Sequence, residues 1–381
     1  MSLTKRKVGY VYSKEWEEVA NLLPSNEGRS SLVHELAKAY NLFDYVQLIE
    51  PLSATEDDLS SFHDSEFSKF LLEYDGEEGE DILLEEYGLA YDCPPFPELS
   101  LYTRLLAGSS LAAAESLVSG NTDVAINWDG GRHHARRGRS AGFCYINDIV
   151  LAIMHLRKEF DKVLYIDFDL HAADGVESAF LHSEKVYTLS FHRFDKGFYP
   201  NTGGIDSVGK GKGIHTTLNI PLKRGLNDKT FWRLFQALVP LAKDSFCPDA
   251  VVVQLGCDGE NLLLDTRLIM KGLIRDPHKE WNLTIKSFGE AVSRILAWNL
   301  PTLLLGGGGY SSVDTARCCS YLTSIACNVL LSNEIPHHEY WTSYGSDYEL
   351  HFEKSLMTEE NTEDYLMTIL PILKNRISRL G

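Results

Sequence analysis

Six short runs of apolar, mostly β-branched residues constrain this chain more than any other feature: Val8–Tyr12, Val124–Asn127, Val163–Asp167, Val186–Phe191, Ala250–Leu255 and Thr302–Leu305. They are too short for helices and do not alternate polar with apolar, so they read as strands buried on both faces. Between them lie helical patterns at Asn147–Phe160, Lys229–Lys243, Ile285–Trp298 and Asp314–Leu331. Strand and helix in alternation predict one α/β sheet, mostly parallel, with helices on both faces.

The residues just beyond each strand carry the chemistry. Val124–Asn127 runs into Trp128-Asp129-Gly130-Gly131-Arg132-His133-His134, and Val163–Ile166 ends in Asp167-Phe168-Asp169-Leu170-His171. Val186–Leu189 ends in Ser190-Phe191-His192, Ala250–Leu255 in Gly256-Cys257-Asp258, and Thr302–Leu305 in Gly306 to Gly309 and Tyr310. Ligands of open α/β sheets sit beyond the carboxyl ends of the strands. Five strand ends here converge on one place, which predicts an active site drawn from His133 to Tyr310. Although 381 residues allow two domains, a site so spread along the chain argues for one domain over 1–381.

Asp169 and His171 are two apart, and on an extended segment they would share a face. With Asp258 they make an Asp-His-Asp set, the three-ligand pattern of a catalytic zinc, and one that also suits Fe(II). Two imidazoles beside such a site, His133 and His134, read as general base and electrostatic partner, with Gly130-Gly131 supplying the bend. Each needs a carboxylate on its far nitrogen, and Asp167 and Asp174 are the candidates. Tyr310 offers a phenol as an oxyanion donor. Neither Gly306–Gly309 nor Gly204–Gly211 is a phosphate loop, because the required Lys and Ser/Thr are missing from the first and Gly211 displaces the Ser/Thr of the second.

Composition narrows the partners. Asp plus Glu outnumber Lys plus Arg by 54 to 36, a charge of −18, which argues against nucleic-acid binding and suits a cationic partner or plain solubility. Seven scattered cysteines without a CxxC pair read as reduced thiols of an intracellular protein. No apolar run approaches the ~18 residues of a membrane span, and the polar start, Met1 to Tyr10, has no secretory core. Lys5-Arg6-Lys7 and the acidic segment Glu73–Glu86 read as solvated surface.

These motifs, with Arg29-Ser30-Ser31-Leu32-Val33-His34, Tyr87-Gly88-Leu89-Ala90-Tyr91-Asp92-Cys93-Pro94, Gly142-Phe143-Cys144-Tyr145 and Ile335-Pro336-His337, closely resemble the zinc-dependent class I histone deacetylases. The resemblance covers nearly the whole chain, and Trp128–His134 with Glu280–Ile285 look most like a divergent fungal branch. It implies an arginase-like α/β fold that hydrolyses N-acetyl-lysine to lysine and acetate. By matching motifs, Asp169, His171 and Asp258 would bind zinc. His134 with Asp174 would serve as base and then acid, and His133 with Asp167 would tune charge. Tyr310 would donate to the oxyanion. Gly142, Phe143, Tyr199, His278 and Gly308 would wall the acyl-lysine tunnel, and Asp92 would hold substrate amides at its rim. Arg29 with Gly306 and Gly307 would line an acetate exit channel. An inner potassium site would use Asp167, Asp169, His171, Ser190 and Phe191; an outer one would use Phe180, Ser183 and Val186, with Thr216 where the family has Tyr. The implied partners are acetylated proteins such as histones and a corepressor complex, in nucleus or cytoplasm.

The sequence departs from the family pattern in several places. Ala172-Ala173 replaces a His-Gly pair after His171, which questions the metal affinity and the pose of Asp174. Residues 259–275 contain an insertion that reads as a lid, a docking surface or a tolerated loop. Arg132 replaces an apolar residue near the exit channel, and Asn201 a glycine. Two other readings stay open: a weakly active acyl-lysine-binding scaffold subunit, and a deacylase of acetylpolyamines or longer acyl chains.

Overall fold

The computed structural model describes residues 6–75, 81–258, 280–345, 347–351 and 357–380. The insertion within 259–275 and the tunnel candidate His278 lie outside them. Eight strands form one sheet: β1 (Val8–Val11), β2 (Gln47–Ile49), β3 (Val124–Asn127), β4 (Val163–Asp167), β5 (Val186–Arg193), β6 (Thr217–Leu222), β7 (Ala250–Gln254) and β8 (Thr302–Leu305). Their order is β2-β1-β3-β8-β7-β4-β5-β6, and every pairing is parallel. The predicted α/β class holds, and all six expected strands are present. β2 and β6 have no counterpart among the six runs: β2 is three residues long and largely exposed at the sheet edge, and β6 interleaves Thr217, Asn219 and Pro221 with its apolar residues.

Uninterrupted apolar character is explained by burial on both faces. Every residue of β3, β4, β7 and β8 is buried. Alternate side chains enter two different cores. Leu164, Ile166, Val251 and Val253 join Phe168, Phe231 and Phe288 on one face. Val163, Tyr165, Ala250 and Val252 join Tyr102, Tyr145 and Ile149 on the other.

Local chemistry sets the helix ends. Asn147 caps the Asp148–Leu156 helix by accepting from the Val150 amide at 3.1 Å. The Ser312–Cys327 helix stops earlier than expected, because Asn328 takes the left-handed conformation at φ 55°. The 20-residue helix Leu99–Val118 escapes a periodicity reading. It is buried on most of its circumference and has no polar face to reveal it. No helix among the described residues is long and apolar enough to cross a membrane.

Register brings the site together. Asn127 pairs with Leu305, Leu305 with Gln254, and Gln254 with Asp167. The loops after β3, β8, β7 and β4 therefore start side by side at one level of the sheet.

Candidate active site

The segment after β4 bends at residues 169–171, so the extended geometry expected for Asp169 and His171 is not what brings them together. Instead the Asp169 carboxylate folds back and accepts the His171 amide at 3.0 Å, an Asx-type turn. His171 Nδ1 then lies 2.9 Å from Asp258 Oδ2 and 3.3 Å from Asp169 Oδ1. One donor atom from each of the three residues falls within 4.8 Å of the others. Further donors hold the carboxylates: the Leu170 amide donates to Asp258 at 3.0 Å, and Gln254 Nε2 and the Gly308 amide donate to Asp169 at 2.9 and 3.2 Å.

Glycines close the cradle. A methyl on Gly256 would stand 1.9 Å from Asp169 Oδ2, and one on Gly308 would stand 2.7 Å from Asp258 Oδ2. Two carboxylates and an imidazole, close-set and backed by bare backbone, fit a divalent metal.

Two histidine–carboxylate pairs adjoin this triad. His133 Nδ1 is 2.8 Å from Asp167 Oδ2, and His134 Nδ1 is 2.7 Å from Asp174 Oδ1. Each ring thus keeps Nε2 for the cleft, and His133 Nε2 is 3.8 Å from Asp169. Of the two glycines expected to supply the bend, Gly131 has the special backbone, at φ 95° against the Gly306 carbonyl. Although the rings lie 4.0 Å apart, their proton affinities diverge. Burial, then the neighbouring His133 charge, lowers His134 to about 4. Burial opposes the charge on His133 too, but Asp167 and Asp169 overcome it and raise this ring to about 9. At neutral pH one imidazole is a free base and its neighbour a cation.

Around these groups the structure places most of the expected wall. The narrow cleft is lined by Gly142, Phe143, Gly307, Gly308 and Tyr310 with the triad and both histidines. Gly142, at φ 58°, lies so close to His134 that a methyl would come within 2.4 Å of the ring. Tyr199 meets the His134 ring edge-on at 4.9 Å, and Tyr310 meets Phe143 at 5.7 Å. Burial, with Asp258 and Asp169 nearby, holds the Tyr310 phenol well above its usual range, as a donor. Asp92 accepts the Gly142 amide at 2.7 Å, so one of its oxygens supports the tunnel turn. Arg29 donates to the Gly307 and Gly309 carbonyls at 3.0 and 3.2 Å.

Among the potassium candidates, Ser190 Oγ is engaged with His192 Nδ1 at 2.9 Å. The Phe180 carbonyl accepts the Ser183 amide, and Val186 opens β5. Thr216 directs its hydroxyl at the Ser183 and Gly213 carbonyls, 2.9 and 2.7 Å away.

Two concerns raised by the sequence departures are resolved by the backbone. Ala173 sits at φ −73°, ψ 53°, a negative φ that needs no glycine. Asp174 keeps His134 and also pairs with the Arg136 guanidinium. Asn201 adopts φ 61° in place of a glycine and accepts the Gly197 amide at 3.1 Å, so that turn is kept. The residues that sequence reasoning missed are supporting ones. Gln254 is the only polar residue in an otherwise apolar strand, which is a usable signal. Arg136 looks like a surface cation. Phe198, stacked on His171 at 5.3 Å, carries no signal.

The histone deacetylase domain model matches residues 23–326. Histone deacetylase 8 of Xenopus tropicalis is 38% identical over 373 residues, covering 97% of this chain and 98% of that protein. Histone deacetylase 8 of Danio rerio is 39% identical over 377 residues, covering 98% and 96%. Histone deacetylase 1 of Homo sapiens is 36% identical over 373 residues, covering 96% and 74%. The chain belongs to the histone deacetylase family and is a deacetylase, a hydrolase of amide-linked acyl groups.

Proposed function

We propose that this single-domain enzyme removes acetyl groups from N-acetyl-lysine side chains of proteins, histone tails foremost, with zinc held by Asp169, His171 and Asp258. The donor set also accommodates Fe(II). When bound, the metal polarises the acyl carbonyl and brings the pKa of a water molecule to near neutrality. The rest falls to the protein. His134 Nε2 takes the proton of the attacking water, while Asp174, itself paired with Arg136, fixes the ring and its tautomer. The water oxygen bonds to the acyl carbon, the C–N bond breaks, and the lysine amine leaves with a proton supplied by His134 or by cationic His133. The Tyr310 hydroxyl donates to the oxyanion in between. Gly142, Phe143 and Tyr199 confine the four-methylene lysine stem, and Asp92 stands at the rim for the substrate backbone.

The single observation that carries this reading is the pair of histidine–carboxylate contacts, 2.8 and 2.7 Å, set beside a three-residue metal triad. Structural potassium at the inner carbonyl cluster, a corepressor complex, and residence in nucleus or cytoplasm accompany the reading. The scaffold-subunit alternative rests on Ala172-Ala173 and on the insertion within 259–275, which lies outside the described residues; the ordinary φ of Ala173 lends the first ground no support. Acetate release from an acetyl-lysine peptide should disappear on chelation, return with zinc, and be lost in His134→Ala. Full turnover by that variant would sink the assignment.

A further inference from the structure

Two buried guanidinium groups lie at the inner end of the cleft: Arg132, 5% exposed, lines it, and Arg29, 3% exposed, stands behind the lining residue Gly307. Arg29 is satisfied. Its Nη1 donates to two carbonyls, and the Asn26 amide oxygen, oriented by its hydrogen bonds, faces Nε and Nη2 at 3.2 and 2.9 Å. Arg132 is not. Its Nη2 donates to the Asp129 carbonyl at 3.2 Å, but its Nε is buried without a hydrogen-bond partner.

Asp148 and Asp129 offset the Arg132 charge from nearby, but their oxygens are taken by other donors and leave Nε open. Asp148 accepts the Gly131 and Arg132 amides at 2.9 and 2.8 Å and the Ser110 hydroxyl at 2.5 Å. Asp129 Oδ2 accepts from Ser30 at 2.9 Å and contacts His34 at 2.8 Å. Among the described residues no carboxylate forms an ion pair with either arginine. A buried cation with an open donor is an unfavourable arrangement unless an anion meets it. Arg132 lines the same cleft as the metal triad and Tyr310, so an anion held by it would sit beside the reacting atoms.

We infer that Arg132 turns the inner end of the cleft into a carboxylate-binding subsite. The planar guanidinium suits a carboxylate, and a cleft closed in by Phe143, Tyr310 and the triad limits the ligand to a small one. That carboxylate has two sources: the acetate released by the reaction, or the far carboxylate of a short dicarboxylic acyl group such as succinyl. Both sources rest on the deacylase reading; the subsite itself does not.

The test uses the full chain. Acetate binding to metal-free protein is titrated at constant ionic strength, with acetamide as the neutral control, for wild type, Arg132→Met and Arg132→Lys. Acetate should bind and acetamide should not. Affinity should fall at least tenfold in Arg132→Met and severalfold in Arg132→Lys, which keeps the charge and loses the planar donor set. Equal acetate affinity in wild type and Arg132→Lys overturns the subsite even if the Met variant fails to fold. Turnover by the zinc-loaded enzyme then separates the sources. A selective loss of succinyl- over butyryl-lysine activity in the variants assigns the acyl carboxylate, and a raised acetate inhibition constant alone assigns the product. If neither quantity changes, the inference is overturned. Acetate binding without any deacylation would instead refute the deacylase reading and leave the subsite standing.

Discussion

His63 should make this enzyme acid-sensitive through one buried ring. It is 1% exposed, and its two nitrogens hold both ends of one segment. Nδ1 donates to the Arg137 carbonyl at 3.0 Å, and Nε2 accepts the Asn147 amide at 3.0 Å. Between those anchors lie Gly142 and Phe143 of the tunnel. Burial lowers the His63 pKa from 6.5 to about 4. Between these values the unfolded chain carries the proton and the folded chain does not, so stability rises with pH across that window and is lost as pH falls from 6.5 towards 4. The slope is about 1.4 kcal/mol per pH unit, and the whole window is worth about 3 kcal/mol. Protonation also sets a donor against the Asn147 amide, so loosening should begin at the tunnel segment. The assay is urea unfolding of wild type and His63→Gln at pH 7.5, 6 and 5. The buried rings His134 and His192 titrate in both proteins and cancel in the comparison. Wild type should lead at pH 7.5, and its lead should shrink by about 2 kcal/mol at pH 5. Parallel stability curves would refute the reasoning.

Three substitutions at the site have defined outcomes. Asp174→Asn should lower kcat about 100-fold by releasing the His134 ring, with zinc content unchanged by elemental analysis; loss of zinc instead would make Asp174 a structural residue. Tyr310→Phe should reduce kcat by about 10²–10³ with little change in KM, measured on an acetyl-lysine peptide, and full activity would remove the oxyanion role. Gly142→Ala places a methyl 2.4 Å from the His134 ring at a positive φ, so thermal unfolding should show a loss of about 1–3 kcal/mol together with most of the activity.

The strands and their chemically rich ends were legible because burial on both faces forces unbroken apolar runs, and because the polar residues ending them had no other reason to gather there. Geometry inside the loops was not legible. Asp169 and His171 meet through a carboxylate-to-amide turn, which residue spacing does not encode. β2 and the Leu99–Val118 helix stayed hidden for opposite reasons, one being short and exposed and the other buried almost all round. His63 was invisible as well, since a lone histidine in Phe62-His63-Asp64 announces nothing until Arg137 and Asn147 arrive from elsewhere.

The sheet order also makes one strand the splice between the two halves of the site. β3 leads to His133 and His134, whereas β4 and β7 lead to the metal triad, and β8 stands between these two groups of strands. β8 is also the last of the described strands along the chain. Without it the sheet would part into β2-β1-β3, which leads to the base, and β7-β4-β5-β6, which leads to the metal ligands, with no strand pairing between them. Thr302–Leu305 thus splices the two halves of the site, and the Tyr310 that follows it closes the cleft they share.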